Sequence, residues 1–208
     1  MNGLFFYIGL GAGLAVACGL RPFLPLLLIG ALGSAKALSI GFPAGHWHFL
    51  ESTWWLIAVA AAFVLAYLAQ LVTGCSPMID PVTREPRNDP LAATLTGLAI
   101  GAGALLFGGV LEAHGDSPWP GVVAGLLIVL LAQRLVGPVI VGARRRLAEK
   151  TARDALTLYL DGAAVVLAGL SALLPPLGYV ALAATGWLLL RQRSRAGEKY
   201  AGLRILGR

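Results

Sequence analysis

The sequence predicts an all-α protein, a polytopic bundle of six or seven transmembrane helices whose first helix pair is broken. Gly162–Leu190 runs for 29 residues without a charged side chain, and Met1–Leu20, Ser52–Ile79 and Leu91–Leu111 also lack Asp, Glu, Lys and Arg. A helix needs roughly 20 apolar residues to cross the hydrocarbon of a bilayer. Composition agrees. Hydrophobic residues make up 58% and charged residues 12%, with a mean hydropathy of +0.79, where a soluble domain carries about 25% charge.

Apolar runs and breakers divide the chain in order. The first segment, about 3–20, stops at Arg21-Pro-Phe-Leu-Pro25, and a shorter second one covers about 23–38. A Gly/Pro/His/Trp loop leads to a third span at about 52–73. A polar loop with Pro77, Pro81, Pro86 and Pro90 leads to a fourth at about 91–112. His114 to Pro120 form a turn before the fifth, about 121–142. The sixth runs about 155–174 and the seventh about 177–190, leaving residues 191–208 as a basic tail on a bundle of residues 1–190. The stretch Leu14-Ala-Val-Ala-Cys18 has the look of a lipoprotein cleavage box. No Lys or Arg precedes it, so the first segment is expected to be a retained span. Cys18 and Cys75 form no metal or redox motif.

Lys and Arg fix the expected orientation. With alternating spans and a cytoplasmic C-terminus, fourteen of the sixteen face the cytoplasm. They are Arg21, Arg84, Arg87, Arg144, Arg145, Arg146, Lys150, Arg153 and the six of the tail. Arg134 falls inside a span and Lys36 outside. The positive-inside bias then sets the N-terminus out and the C-terminus in, as for a bacterial cytoplasmic membrane. A re-entrant second segment would reduce the spans to six and move the N-terminus inside. Because the positives sit at span ends, the net charge of +6 speaks for membrane topology and against nucleic acid.

Glycines gather within the spans. Gly97-x-x-x-Gly101 offers a small-residue face for close helix approach. Gly9-x-Gly-x-Gly13 follows no strand and so reads as packing, not as a nucleotide loop. Gly19-Leu-Arg-Pro-Phe-Leu-Pro25 and Gly169-Leu-Ser-Ala-Leu-Leu-Pro175 share Gly-Leu and Leu-Pro at identical spacing. In alternating spans they would run in opposite directions, the pattern of an inverted repeat. In transporters such repeats carry interrupted helices.

The run Gly19-Leu-Arg-Pro-Phe-Leu-Pro-Leu-Leu-Leu28 resembles the opening of small bacterial polytopic membrane proteins grouped as domain-of-unknown-function family 4126. Phe49-Leu-Glu-Ser-Thr-Trp-Trp-Leu56 and Glu198-Lys-Tyr-Ala-Gly-Leu-Arg-Ile-Leu206 are similar to it as well. The resemblance implies a membrane location and a helical architecture and supplies no activity. Members often carry an acidic-basic pair at the end of the third span, where this chain has Gln70-Leu-Val-Thr73.

Ionised groups at membrane depth are expensive and mark functional positions or fixed pairs. Arg134 and Asp161 are expected at similar depth on consecutive antiparallel helices, close enough to pair. Pro138 frees the Arg134 carbonyl, Gly137 loosens the same turn, and Gln133 adds polarity. This set reads as an ion or substrate path, as a structural ion pair, or as an arginine that snorkels to the surface. Arg21, at the break before Pro22, reads as a cytoplasmic interface anchor or as a cation facing an anion between two half-helices. On the outer side, His46, His48, Glu112, His114 and Asp116 are types that ligate transition metals, and the tryptophans Trp47, Trp54, Trp55 and Trp119 suit an interfacial belt. The Arg144–Arg146 triplet with Lys150 and Arg153 suits anionic lipid headgroups. No Ser/His/Asp set, His-Glu-x-x-His helix or phosphate loop is present, which disfavours an enzyme. The expected function is a small transporter or channel with no cofactor, a transition metal at the outer loops being the alternative, and a bundle of this size is expected to assemble into homo-oligomers. The alternatives are a membrane enzyme or metal handler at those loops, and a structural or assembly subunit.

Overall fold

The computed structural model describes residues 3–35, 47–73, 90–146 and 150–204. Among these it is all-helical, with seven α-helices and no strand: α1 Leu4–Leu20, α2 Phe23–Ser34, α3 Thr53–Thr73, α4 Pro90–Ala113, α5 Pro118–Arg146, α6 Lys150–Leu173 and α7 Leu177–Arg204. One short 3₁₀ turn, His48–Glu51, precedes α3. The helix order matches the sequence expectation. The boundaries shift, most of all at α7, which continues past Leu190 to Arg204, so the change in composition at Arg191 is not a helix end.

The centre of the bundle is α1. Every residue from Gly9 to Gly19 is buried, because α1 touches α2, α4, α5, α6 and α7. Only a helix of small residues can be enclosed on all sides at close range, and Gly9, Gly11, Ala12, Gly13, Ala15, Ala17 and Gly19 supply that. A Cβ at Gly11 would enter the Phe107 ring, one at Gly13 would meet Ser171, and one at Gly19 would meet Ala132.

Residue contacts fix the directions of several helices. Gly121 lies on Gly108 and Leu111, Gly125 on Gly103 and Ala104, and Gln133 reaches Thr96, so α4 and α5 form a hairpin in backbone contact. Along α1, Gly9 sits beside Pro175, Gly13 beside Ser171, and Arg21 beside Asp161, so α1 and α6 also oppose each other. The close approach of α4 therefore uses Gly103 and Gly108 against Gly121 and Gly125. The expected Gly97-x-x-x-Gly101 face is exposed and meets nothing within 4 Å. The hairpin turn is a Schellman cap: Asp116 N–H donates to Leu111 O and Gly115 N–H to Glu112 O, with Gly115 at φ 86°.

The stretches Ala93–Ala113 and Pro118–Val139 are long and apolar enough to cross a membrane. The first two helices are shorter: 17 and 12 residues, roughly 25 and 18 Å against a hydrocarbon core of about 30 Å. They form a hairpin with both outer ends at one end of the bundle. There Tyr7 stacks on His114, Gly33 packs on Glu51, and Trp47 lies over Gly108. Its bend is sunk among α5 and α6. The α6–α7 turn is sunk from the other end, beside Gly9.

Candidate functional site

The sunken bend of the α1–α2 hairpin holds the ion pair. Pro22 creates the bend, since it has no N–H to offer the carbonyl of Cys18 and it drives the preceding residue out of the helical region. Arg21 accordingly is extended, at φ −150° and ψ 123°, and its N–H donates to Ala17 O at 3.0 Å. The chain then re-enters a helix at Phe23. Pro25 falls in the first turn of α2, where a missing N–H costs nothing.

From this bend the Arg21 side chain reaches α6, with Nε 2.7 Å from Asp161 Oδ1. Only 20% of the arginine and 16% of the aspartate side chain is exposed. Asp161 lies eleven residues beyond Lys150, roughly 16 Å along α6. Both charges are thus well inside the bundle, in a shell of apolar helices. A pair with this short contact holds its charges at depth by mutual neutralisation. The α1 carboxyl end and the α2 amino end flank it as opposed dipole ends.

The expected partner of Asp161 was Arg134, and the structure corrects this. Consecutive α5 and α6 have no substantial packing between them, because α1 stands in between. Ala132 faces inward against Gly19, and Arg134, two residues or about 200° further round the helix, faces out. It is exposed on the same surface as Val123, Leu127 and Leu130. Gln133 turns toward α4, where its Nε2 makes a long 3.5 Å contact with Thr96 O. Pro138 lies within α5 without ending it, and Gly137 faces open space. Of the four residues expected on a polar path, then, Arg21 and Asp161 meet, while Gln133 and Arg134 point elsewhere. Arg21 is largely buried against Asp161 and is not a free anchor at an interface.

Of the residues expected to ligate a metal, His46 lies outside the described residues. His48 Nδ1 is 4.0 Å from Glu51 Oε2, and Glu51 packs on Gly33. His114 is stacked on Tyr7 at 3.5 Å between ring centroids, with Nδ1 2.7 Å from Val110 O, the geometry of an Nδ1–H donor. Glu112 is half-buried and Asp116 exposed in the cap. Among the described residues, no three His, Cys, Asp or Glu side chains stand close enough to hold a metal. Trp54 and Trp119 are strongly exposed, while Trp47 and Trp55 stack or edge against Phe49.

The family model described as a domain of unknown function, DUF4126, matches residues 8–195, from the first helix into the last. The chain belongs to this family. The match runs through both Gly-Leu-x-x-x-Leu-Pro motifs and both members of the ion pair. No curated protein and no solved structure matches the chain.

Proposed function

We propose that this member of the DUF4126 family is an integral membrane transport protein, a small transporter or channel. The observation that carries the reading is the Arg21–Asp161 pair at a helix discontinuity deep in an apolar bundle. Ionised groups at such depth are rare, pair with one another and mark substrate or ion pathways, and interrupted helices meeting at mid-bundle are the usual architecture of secondary transporters.

The two Gly-Leu-x-x-x-Leu-Pro motifs support an inverted repeat, α1–α2 against α6–α7. Each motif forms the junction between two consecutive helices, and each junction packs on the other unit's first helix: Arg21 on α6, Pro175 on α1. The junctions open toward opposite ends of the bundle. Because α1 and α2 begin and end on one side, the N-terminus keeps its expected outer side even though the hairpin bend stops short of the far surface. The remaining basic residues, including Arg144, Arg145, Arg146, Lys150 and Arg153, then meet the anionic cytoplasmic leaflet. The chain crosses a bacterial inner membrane with its C-terminus inside, and homo-oligomers are part of the proposal.

A structural-subunit reading draws on the dense glycine and alanine packing around α1, and flux separates the two. Purified protein is reconstituted in liposomes and charge movement is recorded on solid-supported membranes against a panel of small inorganic and organic ions. Wild-type protein is expected to give a solute-dependent current that the folded Arg21→Gln/Asp161→Asn double variant loses. A current unchanged in the double variant, or none across the panel, would contradict the transport reading.

A further inference from the structure

The α6–α7 junction carries a second cluster of polar atoms. Pro175 and Pro176 have no N–H, so the carbonyls of Ser171 and Ala172 lose the donors four residues ahead that a continuing helix would give them. Leu174 N–H donates back to Leu170 O, and Leu177 N–H goes to Leu174 O, so neither of these amides serves the freed carbonyls. The same turn holds Ser171, whose side chain is 0% exposed and whose Oγ has no hydrogen-bond partner among the described residues. A hydroxyl taken out of water without a partner is destabilising. Its residue belongs to the last turn of α6, at the negative end of the helix dipole.

These oxygens sit at depth. Ser171 packs on Gly13, nine residues into α1 and roughly 13 Å from Leu4. Gly9, Gly13 and Gly178 bring the backbones of α1 and α7 onto the junction, where any Cβ would collide. The nearest described acidic side chain along α6 is Asp161, ten residues away or roughly 15 Å. Neutral oxygen donors without a carboxylate suit a hard monovalent cation better than Ca²⁺ or Mg²⁺, which take carboxylates.

We propose that the junction binds a small monovalent cation, sodium being the first probe, through the Ser171 hydroxyl and the carbonyls of Ser171 and Ala172. The proposal deepens the transport reading by assigning a coupling-ion site to the second half of the repeat. It rests on that reading for its role, but cation binding itself requires only the fold.

The test is the thermal midpoint of purified protein in detergent, titrated with NaCl or KCl at ionic strength held constant with choline chloride, together with ²²Na⁺ binding by scintillation proximity. Sodium or potassium is expected to raise the midpoint saturably by about 3 °C or more over choline, and competition against ²²Na⁺ ranks the two ions. Ser171→Ala should abolish both the rise and the binding while its midpoint in choline equals or exceeds wild type, since it removes an unsatisfied hydroxyl. Pro176→Ala, which returns a donor to the Ala172 carbonyl and keeps the hydroxyl, should weaken the response at least several-fold. Equal midpoints in sodium, potassium and choline would overturn the proposal, as would a response retained in Ser171→Ala. Such a failure leaves the Arg21–Asp161 flux test untouched, so the two readings fall separately.

Discussion

At the scale of single residues, Arg21 and Asp161 have the strongest interdependence. Removing one member of a buried pair strands the other charge, at a cost of about 3–5 kcal/mol. Partial exposure of both side chains places this pair near the lower end, about 3 kcal/mol. Arg21→Gln and Asp161→Asn are each expected to lower the thermal midpoint in detergent, and the double variant should recover about 1 kcal/mol or more of the summed loss. Arg134→Gln, on the outward face of α5, should change stability by no more than about 0.5 kcal/mol. Strictly additive losses for Arg21 and Asp161, or an Arg134 loss as large as theirs, would contradict the pairing. The charges themselves were legible in the sequence as costly at depth. Their partnership was not, because it depends on which helix lies between which, and composition says nothing of that. An assumption that sequence neighbours pack together chose Arg134, whereas the glycines of α1 had already marked the helix that could slip between α5 and α6.

At the scale of elements, glycine position decides which helix faces meet. Gly125 touches the α4 backbone, and an ideal Cβ there would stand 3.0 Å from Ala104 Cα. Gly125→Ala is therefore expected to destabilise by about 1–3 kcal/mol through overpacking. Gly97→Ala, in open space, should be neutral or gain up to about 1 kcal/mol from helix propensity. Thermal midpoints of the two variants side by side test this, and a larger loss at Gly97 would reverse the assignment of the packed face. Gly97 and Gly101 share one spacing in the sequence with Gly121 and Gly125, and the expected packing face is the first pair. The Gly-x-x-x-Gly spacing alone does not separate a face that finds a partner from one that looks outward. The helix breaks were more legible, since Pro22 and the Pro175-Pro176 pair act through covalent structure. Arg21 at φ −150° and the α6 stop at Leu173 are their direct results.

At the scale of the whole molecule, the alternation of seven helices puts the two ends of the bundle on opposite faces. The number and order of helices could be read from charge-free runs and prolines. The depth of the α1–α2 bend could not, because hydropathy sees Arg21 as a loop charge while the fold sinks it against Asp161. The account's central claim is a membrane bundle, entered by a broken hairpin from the outer side, with its charged centre inside. The most direct measurement is labelling of single cysteines at Ser34, Ser117 and Gln192, in a background with Cys75 replaced and Cys18 retained in its buried position. With a membrane-impermeant maleimide on intact cells, Ser34→Cys and Ser117→Cys are expected to react, and Gln192→Cys only after permeabilisation. Reaction at Gln192 in intact cells, or protection of Ser34 with Ser117 reactive, would contradict the hairpin topology and the orientation built on it.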